Sequence, residues 1–348
     1  MSDGDSVPSL ALDGTLSLSE ALDTLPSPYA LERFSSLTGA PALIVDFTDE
    51  ADEPDSERVA RFRAALEQLP CPTLAICPEE TPATAVIADR FDVVLPEVRE
   101  AEPVLETVTR FPIASLALVQ LLRQGDYLDL HHALVAESLV YSTLQSGPEF
   151  GAWLARKAKP DARADEPEPA VRVERWDGQL VLSLNRPRRH NAFSVEMRDG
   201  LVEGLQMAVA DASITQVLLR GEGPSFCSGG DLSEFGDLPD PATAHAVRST
   251  RHPGRLLIRC ADRVTARVHG ACIGAGVELP AFAARVEAEA SAFFQLPELQ
   301  MGLVPGAGGT ASLPRRIGRQ RTAWMALSGE RVDPDTALRW GLVDALVD

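Results

Sequence analysis

Two stretches, FFQLPELQMGLVPGAGGTASLPRRIG at residues 293–318 and HGACIGAGVEL at residues 269–279, decide which fold this chain is expected to adopt. In the second stretch, small residues lead into a helix predicted to begin near Val277, and the first amides of a helix lack partners within it. Glu278 lies at the start of this predicted helix, where the helix dipole alone would favour a carboxylate. Glu298 lies among apolar residues, so desolvation should raise its pKa and suit it to hold and deliver a proton. The alternative for Glu298 is a surface glutamate on a loop.

Two further stretches precede these. NRPRRHNAF, residues 185–193, places basic side chains on a loop just after a predicted strand. They are candidates for a phosphate clamp, and the alternative is a solvated basic turn. SFCSGGDL, residues 225–232, contains a glycine pair that lets the backbone approach a ligand closely. The alternative is an ordinary glycine turn capped by Asp231.

In this order and at these separations, the four stretches resemble the enoyl-CoA hydratase/isomerase (crotonase) superfamily. The resemblance covers residues 171–348 and continues through RRIGRQRTAWMALSGERVDPDTALRWGLVD, Arg315–Asp344. It implies an α/β fold with a crotonase-like ββα spiral core.

The resemblance also implies roles for individual residues. Glu278 and Glu298 match the two catalytic glutamates of the family, and the backbone amides of Gly230 and Ala275 match its oxyanion hole. Ala275 stands where the family usually has glycine, but its amide survives that change. Gly306 matches the glycine whose amide helps to hold the catalytic water. The residues expected to contact coenzyme A or substrate are Arg188, His190, Ala192, Ser228, Gly230, Asp231 and Leu232.

The implied reaction is addition of water to the double bond of a 2-enoyl-CoA thioester. It needs no metal and no redox cofactor, because coenzyme A is part of the substrate. The presence of both glutamates favours hydration, since family isomerases often keep only the second. The alternatives are another crotonase reaction (isomerisation, acyl-CoA hydrolysis or a specialised-metabolism reaction) and a non-catalytic acyl-CoA-binding module.

The chain divides at the Pro-rich, charged stretch KAKPDARADEPEPA, residues 157–170. Residues 1–110 are predicted to be a degenerate α/β region, interpreted as a relic crotonase half. Residues 111–158 form a helical segment that resembles the C-terminal helices of the family. Residues 159–170 are the linker, and 171–348 the catalytic core. We therefore expect the helical segment to dock on the core and supply its helical layer. The alternative is an unrelated helical domain. Because family members assemble through those helices, a homo-trimer or hexamer is a hypothesis.

The amino-acid composition limits the kinds of partner that the chain is expected to bind. The formal net charge is −19, which disfavours nucleic acid because phosphate binding needs a basic surface. The N-terminus lacks the pattern of a signal peptide, and no run approaches the ~20 apolar residues of a membrane span. With five cysteines in no zinc or redox spacing, a cytoplasmic location is predicted. Phe235, Leu238 and Phe293 are candidates for an acyl pocket, although core packing is the simpler role for each.

Overall fold

The computed structural model describes residues 14–48, 54–158, 167–237 and 240–348. Contacts divide the chain into two units, Met1–Gln120 and Leu121–Asp348. This division falls inside the predicted helical segment, so that residues 121–158 belong with the predicted core. Most of the predicted linker, 159–166, lies outside the described residues, as does Leu238.

The first unit is built on a four-stranded parallel sheet in the order β1-β2-β3-β4. Strand β3 is buried along its whole length, which is typical of a parallel strand covered on both faces. Phe47 and Phe62 both pack against Phe91 in its core. The elements are β1 (Thr15–Ser17), α1 (Leu18–Thr24), α2 (Ala30–Arg33), β2 (Leu43–Asp46), α3 (Ser56–Gln68), β3 (Thr73–Ile76), α4 (Pro82–Ile87), β4 (Val93–Leu95) and α5 (Glu102–Arg110), and α6 (Pro112–Gly125) contains the boundary.

The second unit alternates strands with helices, as its hydrophobic pattern predicts. Its elements are α7 (Leu130–Gln145), α8 (Pro148–Arg156), β5 (Val171–Trp176), β6 (Gln179–Leu184), α9 (Val195–Ala210), β7 (Gln216–Gly221), α10 (Pro241–Thr250), α11 (Pro253–Cys260), β8 (Val264–Val268), β9 (Ala271–Ile273), α12 (Ala275–Glu278), β10 (Arg285–Glu289), β11 (Phe293–Gln295), α13 (Gly309–Ile317), α14 (Arg319–Ser328), α15 (Pro334–Trp340) and β12 (Ala345–Val347).

A six-stranded sheet in the order β12-β10-β8-β7-β6-β5 carries this unit. The predicted hairpin of β5 and β6 is confirmed, and Asp177 in its turn has a φ of 48°. The other neighbours in the sheet are parallel, and their buried side chains form the core. Strands β9 and β11 pair separately as a two-stranded parallel sheet beside the site described below.

Helices α7 and α8 cover the core of the second unit. Asp129 caps α7 by accepting a hydrogen bond from the amide of His132. Helix α7 packs against α10, α11 and α13, and α8 packs against the 3-10 turn Glu298–Met301. The expected fold class is thus confirmed: it is α/β, and its helical layer is supplied by the part of the chain that precedes the core.

Two glycine-to-alanine changes should move stability in opposite directions. Gly151 is exposed inside α8, and a Cβ added there would have no other atom within 4 Å, so Gly151→Ala should stabilise by about 0.5–1 kcal/mol through helix propensity. A Cβ at Gly276 would collide with the carbonyl oxygen of Cys227, so Gly276→Ala should destabilise by about 1–3 kcal/mol. Thermal unfolding measures both, and a lower Tm for Gly151→Ala or an unchanged Tm for Gly276→Ala contradicts these assignments.

Candidate active site

Glu278 is the last residue of the single helical turn α12, which also contains the small residues Ala275 and Gly276. Gly274 has a φ of 52°, and helix α12 follows it directly. The helix predicted from about Val277 begins two residues earlier, at Ala275, and ends after one turn, because Pro280 has no amide hydrogen to continue it and restricts the residue before it. The Glu278 side chain is 2% exposed, and its Oε2 accepts hydrogen bonds from the amides of Ala307 and Gly309, both at 2.8 Å.

Glu298 begins the 3-10 turn that follows strand β11. It packs so closely on Gly274 that a Cβ there would collide with Glu298 Oε1. Its Oε2 is buried and has no hydrogen-bond partner among the described residues. The two predicted glutamates therefore lie in one buried site but have different surroundings. Glu278 accepts hydrogen bonds from two amides, whereas Oε2 of Glu298 accepts none from the described residues.

These surroundings separate the proton affinities of the two carboxyls. Burial raises the pKa of Glu278 to about 7, although the hydrogen bonds from the two amides act in the opposite direction. Burial, and then the charge of Glu278, raise the pKa of Glu298 well above its usual range. Near neutral pH, Glu278 is therefore the better proton acceptor and Glu298 the better proton donor. Carboxyls whose environments push their pKa values apart are typical of acid/base pairs.

The amides of Gly230 and Ala275 face the same cavity. The loop before Gly230 pairs with the start of the glycine-rich stretch, because Ile273 N donates to Cys227 O at 2.9 Å. Neither amide has an acceptor among the described residues, and the same is true of Gly306 N. A cavity of about 190 Å³ is lined by all five predicted residues, namely Gly230, Ala275, Glu278, Glu298 and Gly306.

The predicted coenzyme A contacts lie on two loops that are bonded to each other. His190 Nδ1 is 2.9 Å from Ser225 Oγ, and the amide of Ser228 donates to His190 O at 3.0 Å. Asp231 is buried and ion-paired with Arg189. Arg188 is exposed, Ala192 is half-buried, and Leu232 is 50% exposed. None of the predicted contacts except Gly230 lines the 190 Å³ cavity, and Asp231 lines a second, adjoining cavity of about 630 Å³.

Asn191 organises these loops and is one residue that the sequence analysis missed. It adopts a φ of 52°, a region that asparagine tolerates better than most residues. Its side chain accepts a hydrogen bond from Arg186 N and donates to Glu222 O and Ser225 O. Its place in HNAF, directly after the basic loop residues, was the signal that the sequence offered.

Glu137 on α7 is a second missed residue and the third buried glutamate of the site. Its Oε1 accepts a hydrogen bond from the amide of Gly308 at 2.7 Å, and its Oε2 accepts from the amide and hydroxyl of Thr310 at 2.9 and 2.7 Å. Burial and the charge of Glu278 raise the pKa of Glu137 to about 8, against these donors. A carboxylate flanked by apolar residues in ALVAESLVY was its only signal in the sequence.

Part of the cavity lining also comes from the helices before the core. A Cβ on Gly306 would lie 2.5 Å from the ring of Tyr141, so this ring packs directly on the loop. Phe235 lines both cavities and forms an aromatic cluster with Phe150 and Trp153 of α8. Phe293 lines neither cavity, and the Arg331 guanidinium lies 4.3 Å from its ring centroid.

Comparison with known proteins gives the following matches. Residues 174–348 match the family model Enoyl-CoA hydratase/isomerase. The chain is 36% identical over 175 residues to 1,2-epoxyphenylacetyl-CoA isomerase of Escherichia coli, covering 49% of this chain and 67% of that protein. It is 36% identical over 172 residues to 2,3-dehydroadipyl-CoA hydratase of the same organism, covering 49% and 66%. A crystal structure of enoyl-CoA hydratase from Mycobacterium smegmatis aligns with a TM-score of 0.48 and 33% identity, covering 52% of this chain and 70% of that one. The chain thus spans about two thirds of the length of these relatives.

Replacing Glu137 by glutamine should damage both stability and turnover. The carboxamide keeps one acceptor oxygen and turns its NH2 group towards the amide of either Gly308 or Thr310, which is itself a donor, so the free energy of unfolding should fall by about 2–3 kcal/mol. Because the neighbouring amides of Ala307 and Gly309 hold Glu278, kcat on an accepted acyl-CoA should fall more than KM rises.

Thr310→Val is the matched control for this change. It removes one of the three donors to Glu137 and leaves the two amides in place, so it should cost only about 1 kcal/mol. Equal losses from the two variants, in thermal unfolding and in kcat, would contradict the role given to the Glu137 carboxylate.

Proposed function

Because the chain belongs to the enoyl-CoA hydratase/isomerase family, we propose that its second unit adds water to the double bond of a 2-enoyl-CoA thioester. The observation that carries this proposal is the contrast between two buried carboxyls in one cavity. Glu278 is tied by two amide hydrogens, and Glu298 carries a buried oxygen without a partner among the described residues. Hydration needs a base and an acid at the same time, and this contrast supplies one of each.

The oxyanion hole consists of the amides of Gly230 and Ala275. The carbonyl oxygen of the thioester accepts hydrogen bonds from both, which stabilises the negative charge that develops there as C3 is attacked. One preorganised donor of this kind contributes about 3–4 kcal/mol. Both amides are available to donate to a ligand, since neither has an acceptor in the described part of the chain.

The two glutamates complete the addition. A water held by Glu278, Glu298 and the amide of Gly306 attacks C3, and Glu278 takes one of its protons. Glu298 delivers its own proton to C2, so that the product is a 3-hydroxyacyl-CoA and one water has been consumed. The charge on the Glu298 carboxylate formed in this step is then neutralised by the proton on Glu278, transferred through the water site.

Isomerisation of the double bond is the second candidate, and the raised pKa of Glu298 favours it. Moving a double bond requires only one carboxyl that relays a proton between two carbons, and Glu298 with its raised pKa meets that requirement alone. Among the relatives, one is named an isomerase and another a hydratase. Glu278 distinguishes the two reactions, because a one-carboxyl isomerisation does not use it.

The remaining features of the function are proposals of the same kind. We propose that the enzyme needs no cofactor, since coenzyme A enters with the substrate. No single helix in the described ranges is long and apolar enough to cross a membrane, although Val98–Arg110 and Pro112–Gly125, bent by 112°, reach that length and composition together. A cytoplasmic location and a homo-trimer or hexamer stay predictions.

Crotonyl-CoA hydration, followed by loss of the absorbance of the conjugated thioester, tests the proposal in the full-length protein. Glu298→Gln and Glu278→Gln should each lower kcat by about 100- to 10,000-fold, because each removes one half of the acid/base pair. Retained double-bond migration in Glu278→Gln, with no hydration in the wild type, would favour the isomerase instead. Binding of crotonyl-CoA to both variants by calorimetry is the control for folding.

The pH profile of kcat/KM gives an independent test. Glu278 must be ionised to accept a proton, and its pKa is about 7, so activity should rise with pH through this value. Glu298 must be protonated, and its pKa is raised well above the ordinary value, so activity should fall again on the alkaline side. Other titratable and charged groups near this pair in the described part of the chain include Glu137 and Tyr141 from α7, and His252, whose pKa burial lowers to about 4. Cys227 and the cavity-lining Glu234, Arg198, Arg248 and Arg251 are further members of this set. A profile that is flat across the two pH units on either side of the Glu278 pKa, about 7, would exclude Glu278 as the base.

A further inference from the structure

Arg248 of α10 lines both cavities and has no acidic partner among the described residues. Its Nε donates to Ser138 Oγ at 3.0 Å, and its Nη2 donates to Ser138 O and Ser142 Oγ. Its Nη1 has no acceptor in the same part of the chain, and none of the carboxylates there lies within ion-pair distance. Burial lowers the pKa of this half-buried guanidinium, and the charges of Tyr141 and Glu137 oppose that effect only in part. Glu137 is already bound by its own three donors, so a ligand anion beside Arg248 would lower the cost of burying its charge.

The other two arginines that line the smaller cavity differ in this respect. Arg198 pairs with Asp199 at 2.9 Å. Arg251 pairs with Asp199 at 2.8 Å and with Glu203 at 3.2 Å. Both are neutralised within the protein, and each therefore has less to gain from an anionic ligand than Arg248 has.

Arg248 lies close to the reacting centre, because it lines the 190 Å³ cavity together with Glu278 and Glu298, and it also lines the adjoining cavity. Its guanidinium carbon is 4.8 Å from the centroid of the Tyr141 ring, and the same ring packs on Gly306. One aromatic ring therefore separates Arg248 from the loop whose next residue, Ala307, holds Glu278. The phosphates of coenzyme A lie beyond the whole pantetheine arm from the thioester, so the anion that can reach Arg248 belongs to the acyl group.

Tyr141 adds a neutral donor beside this cation. Burial raises the pKa of the Tyr141 phenol, so the hydroxyl keeps its proton at neutral pH. It has no hydrogen-bond partner among the described residues, and the side chain lines both cavities. A carboxylate accepts hydrogen bonds from a guanidinium and from a phenol alike.

We propose that Arg248 and Tyr141 bind a carboxylate at the far end of the acyl chain, so that the substrate is the 2-enoyl-CoA monothioester of a dicarboxylic acid. This inference rests on the proposed function, because it names the substrate class of the same site. The cavity contains another carboxylate, Glu234, which accepts a hydrogen bond from Val195 N. Because this like charge repels an anion, Arg248 and Tyr141 are the groups that bind the ligand carboxylate.

The test compares pairs of 2-enoyl-CoA thioesters of equal length, from about four to six carbons, that end either in a carboxylate or in a methyl group. At one or more lengths the wild type should favour the carboxylate in kcat/KM, and Arg248→Met should lower that ratio by about 30-fold, the value of a charged hydrogen bond. Arg248→Lys keeps the charge but loses the planar fork, so its ratio should fall between the two. Arg251→Met, which removes a neutralised arginine of the same cavity, should change the ratio less than about threefold.

A wild type that favours the methyl-ended substrate at every length overturns the inference, and so does a ratio that Arg248→Met leaves unchanged or that Arg251→Met lowers equally. Calorimetric binding of the saturated acyl-CoA pairs separates this result from failure of the proposed reaction. Arg248-dependent preference for the carboxylate without any hydration supports the carboxylate site and rejects the hydratase. Hydration without preference in rate or binding supports the hydratase and rejects the carboxylate site.

Discussion

The amides of residues 307–310 donate hydrogen bonds in turn to two buried carboxylates, Glu278 and Glu137, and the arrangement of the site depends on these hydrogen bonds. Ala307 N and Gly309 N donate to Glu278, and Gly308 N and Thr310 N donate to Glu137. These are the amides at the N-terminus of α13, where a helix leaves its donors unpaired and favours negative charge. The two carboxylates satisfy those donors, and in return the donors fix the position of Glu278. The same contacts bring like charges together in a water-poor site, so the proton affinities of the three buried glutamates are linked.

This network explains why helices that precede the core in sequence belong to it in structure. Glu137 and Tyr141 lie one helical turn apart on α7, so that both side chains point to the same face of the helix. One binds the loop through its amides, and the other packs its ring on Gly306. Helix α8 then contributes Phe150 and Trp153 to the cluster around Phe235. Packing of these helices depends on their faces and not on their order along the chain, which is why a helical segment before the core can supply its outer layer.

Local patterns in the sequence predicted much of this fold, and the failures have physical causes. The β5–β6 hairpin and helix α9 follow directly from alternation, turn residues and helical periodicity. The helix predicted from about Val277 begins at Ala275 and is a single turn, because one proline ends it. Glu278 and Glu298 were predicted because short motifs around them resemble a known family. Glu137 and Arg248 were not, because the partners of Glu137 are about 170 residues away and Arg248 looks locally like any solvated arginine of an amphipathic helix.

The charged side chains of the cavity also influence which ligand it binds. The chain carries a formal net charge of −19, and a coenzyme A thioester is itself anionic, so association proceeds against long-range repulsion unless the cavity has a field of its own. The glutamate cluster lowers its own charge by holding protons, since burial raises all three pKa values and the charge of Glu278 raises those of Glu137 and Glu298 further. Two of the three arginines that line the cavity are neutralised by Asp199 and Glu203. Arg248 differs from these two, because no carboxylate of the described chain contacts its guanidinium, and it adds a positive charge to a cavity that Glu234 also lines. In the proposed binding mode the acyl chain ends at Arg248, where the low-dielectric surroundings strengthen its charge, so the chemistry of that end determines which thioester binds.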